Sequence, residues 1–473
     1  MKKKILSVFI SVFFLAICIG MSVIWQHDEK DSVKDGKDKG NLKQMLSEEA
    51  RPDEEYLDYY ELGDFKTGLP VVFIDTQGQQ IGKENKIRAF LGVLQQKEDS
   101  KRKVTEQPDT VEAISINMRG ASSYRFEKKQ YRIKFYKNEE STKGKEIEFL
   151  GMNAHSEWVL NGPYLDKTLM RNRLLYGLGG EIFEWAPDTR FCEVFLDGKY
   201  QGVYVATEPV TCGETRLNLA KFGLLSGETA YLVKRDRVGT EKNALKTYGK
   251  SEGKTVNDLY VAYPSESKIT EEQRKWIEQD ISRFESALYS DSFADEKNGY
   301  VQYIDLDNFV DYFIFNEFAM NRDAGNLSTY IYKDLPGKIK LAIWDYNNAL
   351  DNYQWYETET DQWQTPDNCW FDRLMQDRAF VDRIQQRYQE LRKGVLSDAH
   401  IFSMINQYRS ELGDATERNF AVWGFTFDIV LYTDDTRELK SYDMAMEQLT
   451  STIDERLEFM DQHINDLYRY CIN

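Results

Sequence analysis

The sequence predicts an α+β protein in which a β-rich N-terminal lobe precedes a largely helical C-terminal lobe. Strand-like segments dominate residues 69–240, helical periodicity dominates residues 258–473, and a polar Lys/Gly-rich stretch separates the two. The chain has 473 residues, of which 41% are hydrophobic and 14% aromatic. It can therefore bury a large core, which excludes disorder of the whole chain.

Strands are predicted where apolar and polar residues alternate between turn signals. These segments are residues 70–75, 113–118, 130–136, 192–196 and 202–206. Asp197 and Gly198 predict a tight hairpin turn between the last two strands, because both residues tolerate the positive φ of such turns. Helices are predicted where apolar residues recur at helical spacing. These segments are residues 271–289, 307–320, 378–391, 400–412 and 444–468.

The N-terminus predicts a membrane anchor. Lysines precede an uncharged run at residues 5–25, which as a helix is long enough to cross a hydrocarbon core of roughly 30 Å. The positive-inside rule then predicts a single-pass cell-membrane protein whose folded domain is extracytoplasmic. Residues 1–26 would be the cytoplasmic stub and transmembrane helix, residues 27–60 a polar tether, and residues 61–473 the folded domain. A cleaved signal peptide is the alternative, although no Ala-x-Ala-like site follows the run.

Composition argues against several functional classes. A net charge of −18 disfavours nucleic acid as a partner, because general nucleic-acid binding relies on Lys and Arg. The four histidines form no paired metal-binding motif, and Gly-x-Ser-x-Gly occurs only in the polar Lys/Gly-rich stretch, at residues 249–253, and not as an elbow between a strand and a helix. A His-ligated zinc enzyme and a Ser-His-Asp hydrolase are therefore poorly supported. Cys192, Cys212, Cys369 and Cys471 form no CxxC pair, so disulfides are permitted outside the cytoplasm but not required.

Carboxylates and carboxamides flank a predicted hairpin at residues 328–344. The start of the first strand of an antiparallel pair lies beside the end of the second, so Asp323 and Asn326 should meet Asp345 and Asn347 at one edge. Their oxygens suit Mg²⁺ or Mn²⁺. In phosphoryl transfer, one such aspartate activates the acceptor and another holds the metal. The alternative is that these residues only cap loops.

A second group of polar residues lies in a strongly basic segment, residues 119–137, of this acidic chain. Strand alternation places Lys129 on an apolar face. An ammonium group there requires a partner or a phosphate, because burial of an unpaired charge is costly. Glu208, at the end of a later predicted strand, is the candidate partner. A solvated basic strand face is the alternative.

Five motifs follow one another along residues 70–391. They are Arg119-Gly-Ala-Ser-Ser with Lys128-Lys129-Gln-Tyr-Arg-Ile-Lys, Asp166 with Leu169-Met-Arg-Asn-Arg-Leu, Asp197-Gly-Lys-Tyr-Gln-Gly-Val-Tyr with Glu208, Asn316-Glu317 with Asn321-Arg-Asp323, and Trp344-Asp345-Tyr-Asn. In this order they resemble the CotH family of spore-coat-protein-H-like atypical protein kinases. The resemblance implies a distant protein-kinase-like bilobal fold, with ATP and Mg²⁺ or Mn²⁺ as cofactors. It also implies phosphorylation of Ser or Thr in secreted, envelope or coat proteins as partners.

The same resemblance implies roles for individual residues. Asp323 would be the catalytic aspartate and Asp345 the metal-binding aspartate, with Asn326 and Asn347 assisting the metal. The nucleotide would be contacted by basic residues and one glutamate, namely Lys129 with Lys128 as the fallback, Arg119, Arg171 and Glu208.

Two features depart from the protein-kinase pattern. The chain has no Gly-x-Gly-x-x-Gly loop, so the hydroxyl-bearing turn after Arg119 would cover the phosphates. Asp345 is followed by Tyr-Asn and not by Phe-Gly, and many family members carry an acidic residue where Asn347 stands. The alternative function is therefore a catalytically weak pseudokinase, or a structural protein of a spore coat or cell surface.

Overall fold

The computed structural model describes residues 65–472 apart from 98–99, 122, 222, 224–225, 240–242, 353–357 and 429–438. The predicted anchor at residues 5–25 and the predicted tether at residues 27–60 lie outside the described residues. Within the described part, none of the helices is long and apolar enough to cross a membrane. The described chain has a mixed α+β architecture, as predicted.

The secondary structure follows the chain in this order. The strands are β1 (Lys66–Thr67), β2 (Val71–Asp75), β3 (Ile87–Leu94), β4 (Arg102–Lys103), β5 (Thr110–Met118), β6 (Tyr131–Tyr136), β7 (Ile147–Phe149), β8 (Met152–His155), β9 (Glu157–Asn161), β10 (Thr189–Leu196), β11 (Lys199–Thr207), β12 (Tyr231–Asp236), β13 (Asp258–Tyr263), β14 (Thr329–Lys333) and β15 (Lys340–Ala342). The α-helices are α1 (Arg171–Gly180), α2 (Tyr248–Ser251), α3 (Glu271–Leu288), α4 (Leu306–Phe318), α5 (Phe371–Leu374), α6 (Arg378–Arg392), α7 (Asp398–Leu412), α8 (Ala415–Trp423) and α9 (Tyr442–His463). Short 3₁₀ helices occupy Ser123–Arg125, Tyr300–Gln302, Gly424–Phe427 and Ile464–Tyr470.

A closed barrel forms the first part of the fold, with strand order β10-β11-β9-β6-β5-β3-β2. Parallel pairing of β2 with β10 closes the ring. Alternate side chains of each strand point inward, so residues such as Ile114, Ile133 and Trp158 fill an apolar interior. Asp197 and Gly198 join β10 to β11 with φ values of 49° and 79°, which is the tight turn predicted from the sequence.

A four-stranded antiparallel sheet, in the order β13-β12-β14-β15, forms the second β layer. The predicted hairpin is confirmed as β14 and β15, in which Tyr330 lies opposite Ala342. The sequence analysis missed β12 and β13, because most of their residues are buried and such strands lack period-two alternation. These two strands lie on either side of residues 240–257, so one sheet includes residues from both predicted lobes.

Helices make up most of the remaining chain. α3, α4, α6 and α7 begin and end within two residues of the predicted helices, and α9 continues as a 3₁₀ helix after His463. At the start of α3, the Thr270 hydroxyl accepts a hydrogen bond from the Gln273 backbone N–H at 3.2 Å, and the Gln273 side chain accepts from the Thr270 N–H at 3.1 Å. α8, which was not predicted, returns to the barrel, where Asn419 Oδ1 accepts from the Val203 N–H at 3.0 Å.

A buried ion pair joins α4 to α9. Glu317 and Arg456 are both 0% exposed, and Arg456 Nη2 lies 2.6 Å from Glu317 Oε2. Arg456 Nε also donates to the Glu317 carbonyl at 2.8 Å. The Glu317 carboxylate accepts further hydrogen bonds from the backbone N–H groups of Gln364 and Thr365, at 2.9 and 2.7 Å. Both charges are therefore satisfied, and removing either partner would leave the other buried without compensation.

We predict that Arg456→Ala lowers the free energy of unfolding by about 3–5 kcal/mol, because it strands the Glu317 carboxylate. Arg409→Ala is the matched control. Arg409 pairs with Asp443 at 2.7 Å, but the two side chains are 54% and 73% exposed. An exposed pair contributes less than about 1 kcal/mol. Denaturant unfolding of both variants checks this, and losses of equal size would contradict the assignment.

Candidate active site

One edge of the four-stranded sheet collects aspartates. Its strands are antiparallel, so this edge contains the end of β12, the starts of β13 and β14, and the end of β15. Asp236 ends β12 and lies opposite Asp258, the first residue of β13. Asp323 lies in the loop before β14, and Asp345 follows β15. We call these four residues the acidic edge.

Asp323 is the carboxylate of the acidic edge whose pKa is raised. Burial raises the pKa of Asp323 above its usual range, and repulsion from Asp345 and Asp236 raises this pKa further. The guanidinium groups of Arg237 and Arg322 act in the opposite direction. The structure thus brings Asp323 and Asp345 within electrostatic reach of each other, as the hairpin geometry predicts.

Asp345 is held in a costly backbone conformation. Its φ is 70°, and Ser328, which donates its hydroxyl to Asp345 Oδ2 at 3.0 Å, has a φ of 49°. Left-handed conformations of non-glycine residues cost on the order of 1–3 kcal/mol each. The Asp345 N–H donates to the Tyr176 hydroxyl at 3.0 Å, and the next N–H, of Tyr346, donates to Asn172 Oδ1 at 3.0 Å. These bonds to α1 fix the direction of the Asp345 carboxylate.

The two predicted carboxamide ligands are placed differently. Asn326 Oδ1 accepts a hydrogen bond from the Cys369 N–H at 3.1 Å, so the oxygen that would bind a cation is already engaged. Asn347 donates its Nδ2 to Asn348 Oδ1 at 2.9 Å, a bond that does not use the Asn347 oxygen. Asn347 also lines a cavity of about 30 Å³, together with Ser123 of the hydroxyl-bearing turn after Arg119. Asn347 therefore remains the better placed of the two.

The acidic edge fits Mg²⁺ or Mn²⁺ only in part. Among the described residues, no group of three His, Cys, Asp or Glu side chains is arranged to hold a metal ion. Mg²⁺ is commonly bound by one or two carboxylates, with phosphate oxygens and waters completing its six ligands. Asp345 and the electrostatically coupled Asp323 supply one or two carboxylates of this kind. The residues therefore fit a cation that is shared with a phosphate.

The lysine that is buried is Lys128 and not Lys129, so the predicted strand alternation is wrong here. β6 begins only at Tyr131, and both lysines precede it in irregular backbone. Lys128 is 1% exposed, and its Nζ donates to Asn419 Oδ1 at 2.7 Å. Burial lowers the pKa of Lys128 well below its usual value, and the charge of Lys167 adds to this effect. Lys128 therefore packs between the barrel and α8.

Lys129 is half-buried, and its Nζ donates to the carbonyl of Tyr124, in the turn after Arg119, at 2.9 Å. The expected pairing of Lys129 with Glu208 is wrong. Glu208 forms a buried ion pair with Arg216 and accepts a hydrogen bond from the Asp188 N–H at 3.2 Å. Both residues are therefore partnered elsewhere in this structure.

Arg171 is a structural residue in this chain. It is 1% exposed, and its Nη1 pairs with Asp166 Oδ1 at 2.7 Å. Nε and Nη2 donate to the carbonyls of Ala349 and Leu350 at 3.1 and 3.2 Å. The guanidinium supports the segment that follows Asp345, so the expected phosphate contact by Arg171 is not supported.

Arg119 lies beside the acidic edge. Its Nη1 donates to Gln130 Oε1 at 3.3 Å, and its guanidinium lies 5.4 Å from the centroid of the Trp344 ring. Trp344 immediately precedes Asp345. Of the predicted nucleotide contacts, Arg119 therefore places a positive charge near Asp345, the predicted metal ligand.

A cleft of about 670 Å³ opens between the barrel and the four-stranded sheet, and Arg119 and Trp344 line it. The sheet contributes Lys234 and Tyr330, and the segment after β11 contributes residues 209–212. Aromatic and basic groups together can bind a flat base and an anionic chain. The cleft thus combines aromatic and basic groups, and its wall includes Trp344, the residue directly before Asp345.

The family described as CotH kinase protein matches the chain over residues 116–460, which include the acidic edge and the cleft. The chain belongs to the CotH family. A curated relative, Inner spore coat protein H of Bacillus subtilis (strain 168), is 26% identical over 235 residues, which make up 50% of this CotH chain and 58% of the relative. The CotH chain thus spans less than two thirds of the length of that relative.

The sequence analysis missed Asp236 and Arg237 as parts of the site. The charges of both residues shift the pKa of Asp323. The apolar segment before them was not identified as a strand. A run of buried apolar residues that ends in Lys-Arg-Asp at residues 234–236 is the signal that would have indicated charged groups at a strand end.

We predict that Asp345→Asn raises the melting temperature of the metal-free protein by about 1–3 °C near pH 7, because it removes repulsion of Asp323. The pKa of Asp323 is raised, so Asp323 takes up its proton at a higher pH than an ordinary aspartate. The gain should therefore shrink as the pH falls through this raised pKa, and melting curves in EDTA across that range check it. The exposed Asp291→Asn is the control. A gain that does not depend on pH would show that relief of backbone strain alone is responsible.

Proposed function

We propose that this protein is an extracytoplasmic CotH-like kinase that transfers the γ-phosphoryl group of ATP to Ser or Thr of secreted, envelope or coat proteins. The single observation that carries the proposal is the electrostatic proximity of Asp323 to Asp345, which directly follows Trp344 in the wall of a cleft with basic and aromatic groups. The family match supports kinase chemistry, and the spore-coat relative supports a location in or near a spore coat. The predicted anchor at residues 5–25 would hold the enzyme at the membrane.

In this proposal the fold is a distant, bilobal relative of the protein kinases. The barrel would be the N-lobe, and the four-stranded sheet with its helices would be the C-lobe. ATP would occupy the cleft between them, with Arg119 and Lys129 binding its phosphates. Lys129 is preferred over Lys128 because it is half-buried and its Nζ donates to the Tyr124 carbonyl of the turn after Arg119, whereas Lys128 is enclosed.

Asp345, with Asn347, would hold Mg²⁺ or Mn²⁺. When bound, the cation neutralises charge on the phosphates and stabilises the transferring group. The hydroxyl oxygen of the substrate forms a bond to the γ-phosphorus, while the bond from that phosphorus to the bridging oxygen of ADP breaks. The hydroxyl proton passes to the Asp323 carboxylate, whose raised pKa makes it a better proton acceptor than an ordinary aspartate. Arg119 supplies fixed positive charge beside Asp345.

We predict that Asp323→Asn and Asp345→Ala each reduce phosphate incorporation from labelled ATP by at least about 100-fold, because each removes a group that acts in the transition state. Purified protein is incubated with labelled ATP, Mn²⁺ and casein as the acceptor. Asp291→Asn, an exposed aspartate, should label like the wild type. Equal labelling by wild type and Asp345→Ala would refute the assignment. Wild-type protein that binds no ATP and labels nothing would favour a structural coat protein.

We predict that Lys129→Ala abolishes most of the stabilisation by ATP with Mn²⁺, whereas Lys128→Met retains it. A ligand at about 100 times its Kd stabilises a protein by about 2.7 kcal/mol, so the effect is visible as a shift in melting temperature. Methionine fills the buried space of Lys128 without its costly charge, which makes Lys128→Met a matched control. The reverse pattern would assign the nucleotide contact to Lys128.

A further inference from the structure

The loop that carries Asp323 is held by side chains from other segments, beginning with Asn368. Asn368 Nδ2 donates to the carbonyls of Arg322 and Ala324, at 3.1 and 2.8 Å. These carbonyls belong to the residues on either side of Asp323. One carboxamide therefore fixes the backbone directly before and directly after the proposed catalytic residue.

Arg235 of β12 holds the next carbonyl of the same loop. Its Nη1 donates to the Gly325 carbonyl at 2.8 Å, and its guanidinium packs over the Trp370 ring at 4.1 Å. Arg235 is 1% exposed, and among the residues that the structure describes no oxygen accepts a hydrogen bond from its Nε or Nη2. A buried cation without a carboxylate partner is costly, so packing alone does not account for an arginine at this position.

Asn257, just before β13, holds the last carbonyl. Its Nδ2 donates to the Asn326 carbonyl at 2.8 Å. The Asn326 side chain is bonded to the segment that contains Asn368, because its Oδ1 accepts a hydrogen bond from the Cys369 N–H at 3.1 Å. Both ends of Asn326 are therefore used to fix the loop.

We propose that Arg235, Asn257 and Asn368, which we call the loop clamp, are positioning residues for Asp323, and that Asn326 serves the clamp and is not a metal ligand. This inference rests on the proposed function. The clamp fixes carbonyls on both sides of Asp323, and a misplacement of about 1 Å at a reacting group can cost 100-fold in rate. It also leaves Asp345 and Asn347 as the side chains that hold the cation.

Isothermal titration of the protein with Mn²⁺·ATP distinguishes a clamp role of Asn326 from a metal-ligand role. We expect Asn326→Ala and Asn368→Ala to bind Mn²⁺·ATP within about 3-fold of the wild-type Kd, whereas Asp345→Ala should lose at least about 10-fold. Binding by Asn326→Ala that is weakened as much as in Asp345→Ala would overturn the inference, since Asn326 would then be a ligand. Wild-type protein that binds no Mn²⁺·ATP would instead refute the proposed function.

Kinetics and hydrogen exchange test the positioning role. In Asn368→Ala, kcat for casein labelling should fall by about 10- to 100-fold with KM for ATP unchanged. Amide exchange over residues 322–327 should become faster, a readout that does not depend on activity. Asn298→Ala, which removes an exposed asparagine, is the matched control. Unchanged exchange over residues 322–327 in Asn368→Ala would overturn the clamp, whether or not the protein is a kinase.

Discussion

The buried pair of Glu317 and Arg456 is the interaction on which the rest of the site depends. Glu317 lies in the last turn of α4, so the pair fixes the point from which the Asp323 loop departs. The Leu350 N–H donates to the Ala319 carbonyl at 2.8 Å, which ties the segment after Asp345 to the end of the same helix. The loop with Asp323 and the segment after Asp345 are both attached to the end of α4. A shift of α4 against α9 would therefore move both aspartates. A buried ion pair need not add net stability to a fold. Because both charges are fully hydrogen-bonded, however, the pair fixes the position of α4 relative to α9.

The acidic edge itself is unfavourable. Two carboxylates repel each other, and Asp345 and Ser328 both have left-handed backbones. Such features persist only where surrounding structure enforces them, and they concentrate at functional sites. Here the enforcing structure is visible in the hydrogen bonds from Asp345 to Tyr176 and from Tyr346 to Asn172, both on α1. The acidic edge thus combines charge repulsion with backbone strain, and bonds from α1 hold it in place.

Much of the fold could be predicted from the sequence because local patterns determine it. The amphipathic helices, the alternating barrel strands and the β14–β15 hairpin all carry periodic signals, and the hairpin alone places Asp323 near Asp345. Long-range pairs carry no such signal. Glu208 with Arg216 depends on the path of the chain after β11, and Lys128 with Asn419 joins residues far apart in sequence. The error between Lys128 and Lys129 arose because β6 begins only at Tyr131, so period-two alternation does not extend back to the two lysines.

The raised pKa of Asp323 has two causes, and only one of them survives when a cation is bound. Repulsion from Asp345 would be largely cancelled by a divalent ion on that carboxylate. Burial, the larger cause, would remain, and a nucleotide in the cleft would exclude more water. The basicity of Asp323 is therefore set mainly by the loop that buries it and less by its acidic neighbour. This makes the position of the loop, and with it the carbonyl contacts from Arg235, Asn257 and Asn368, the feature that controls proton acceptance in the proposed reaction.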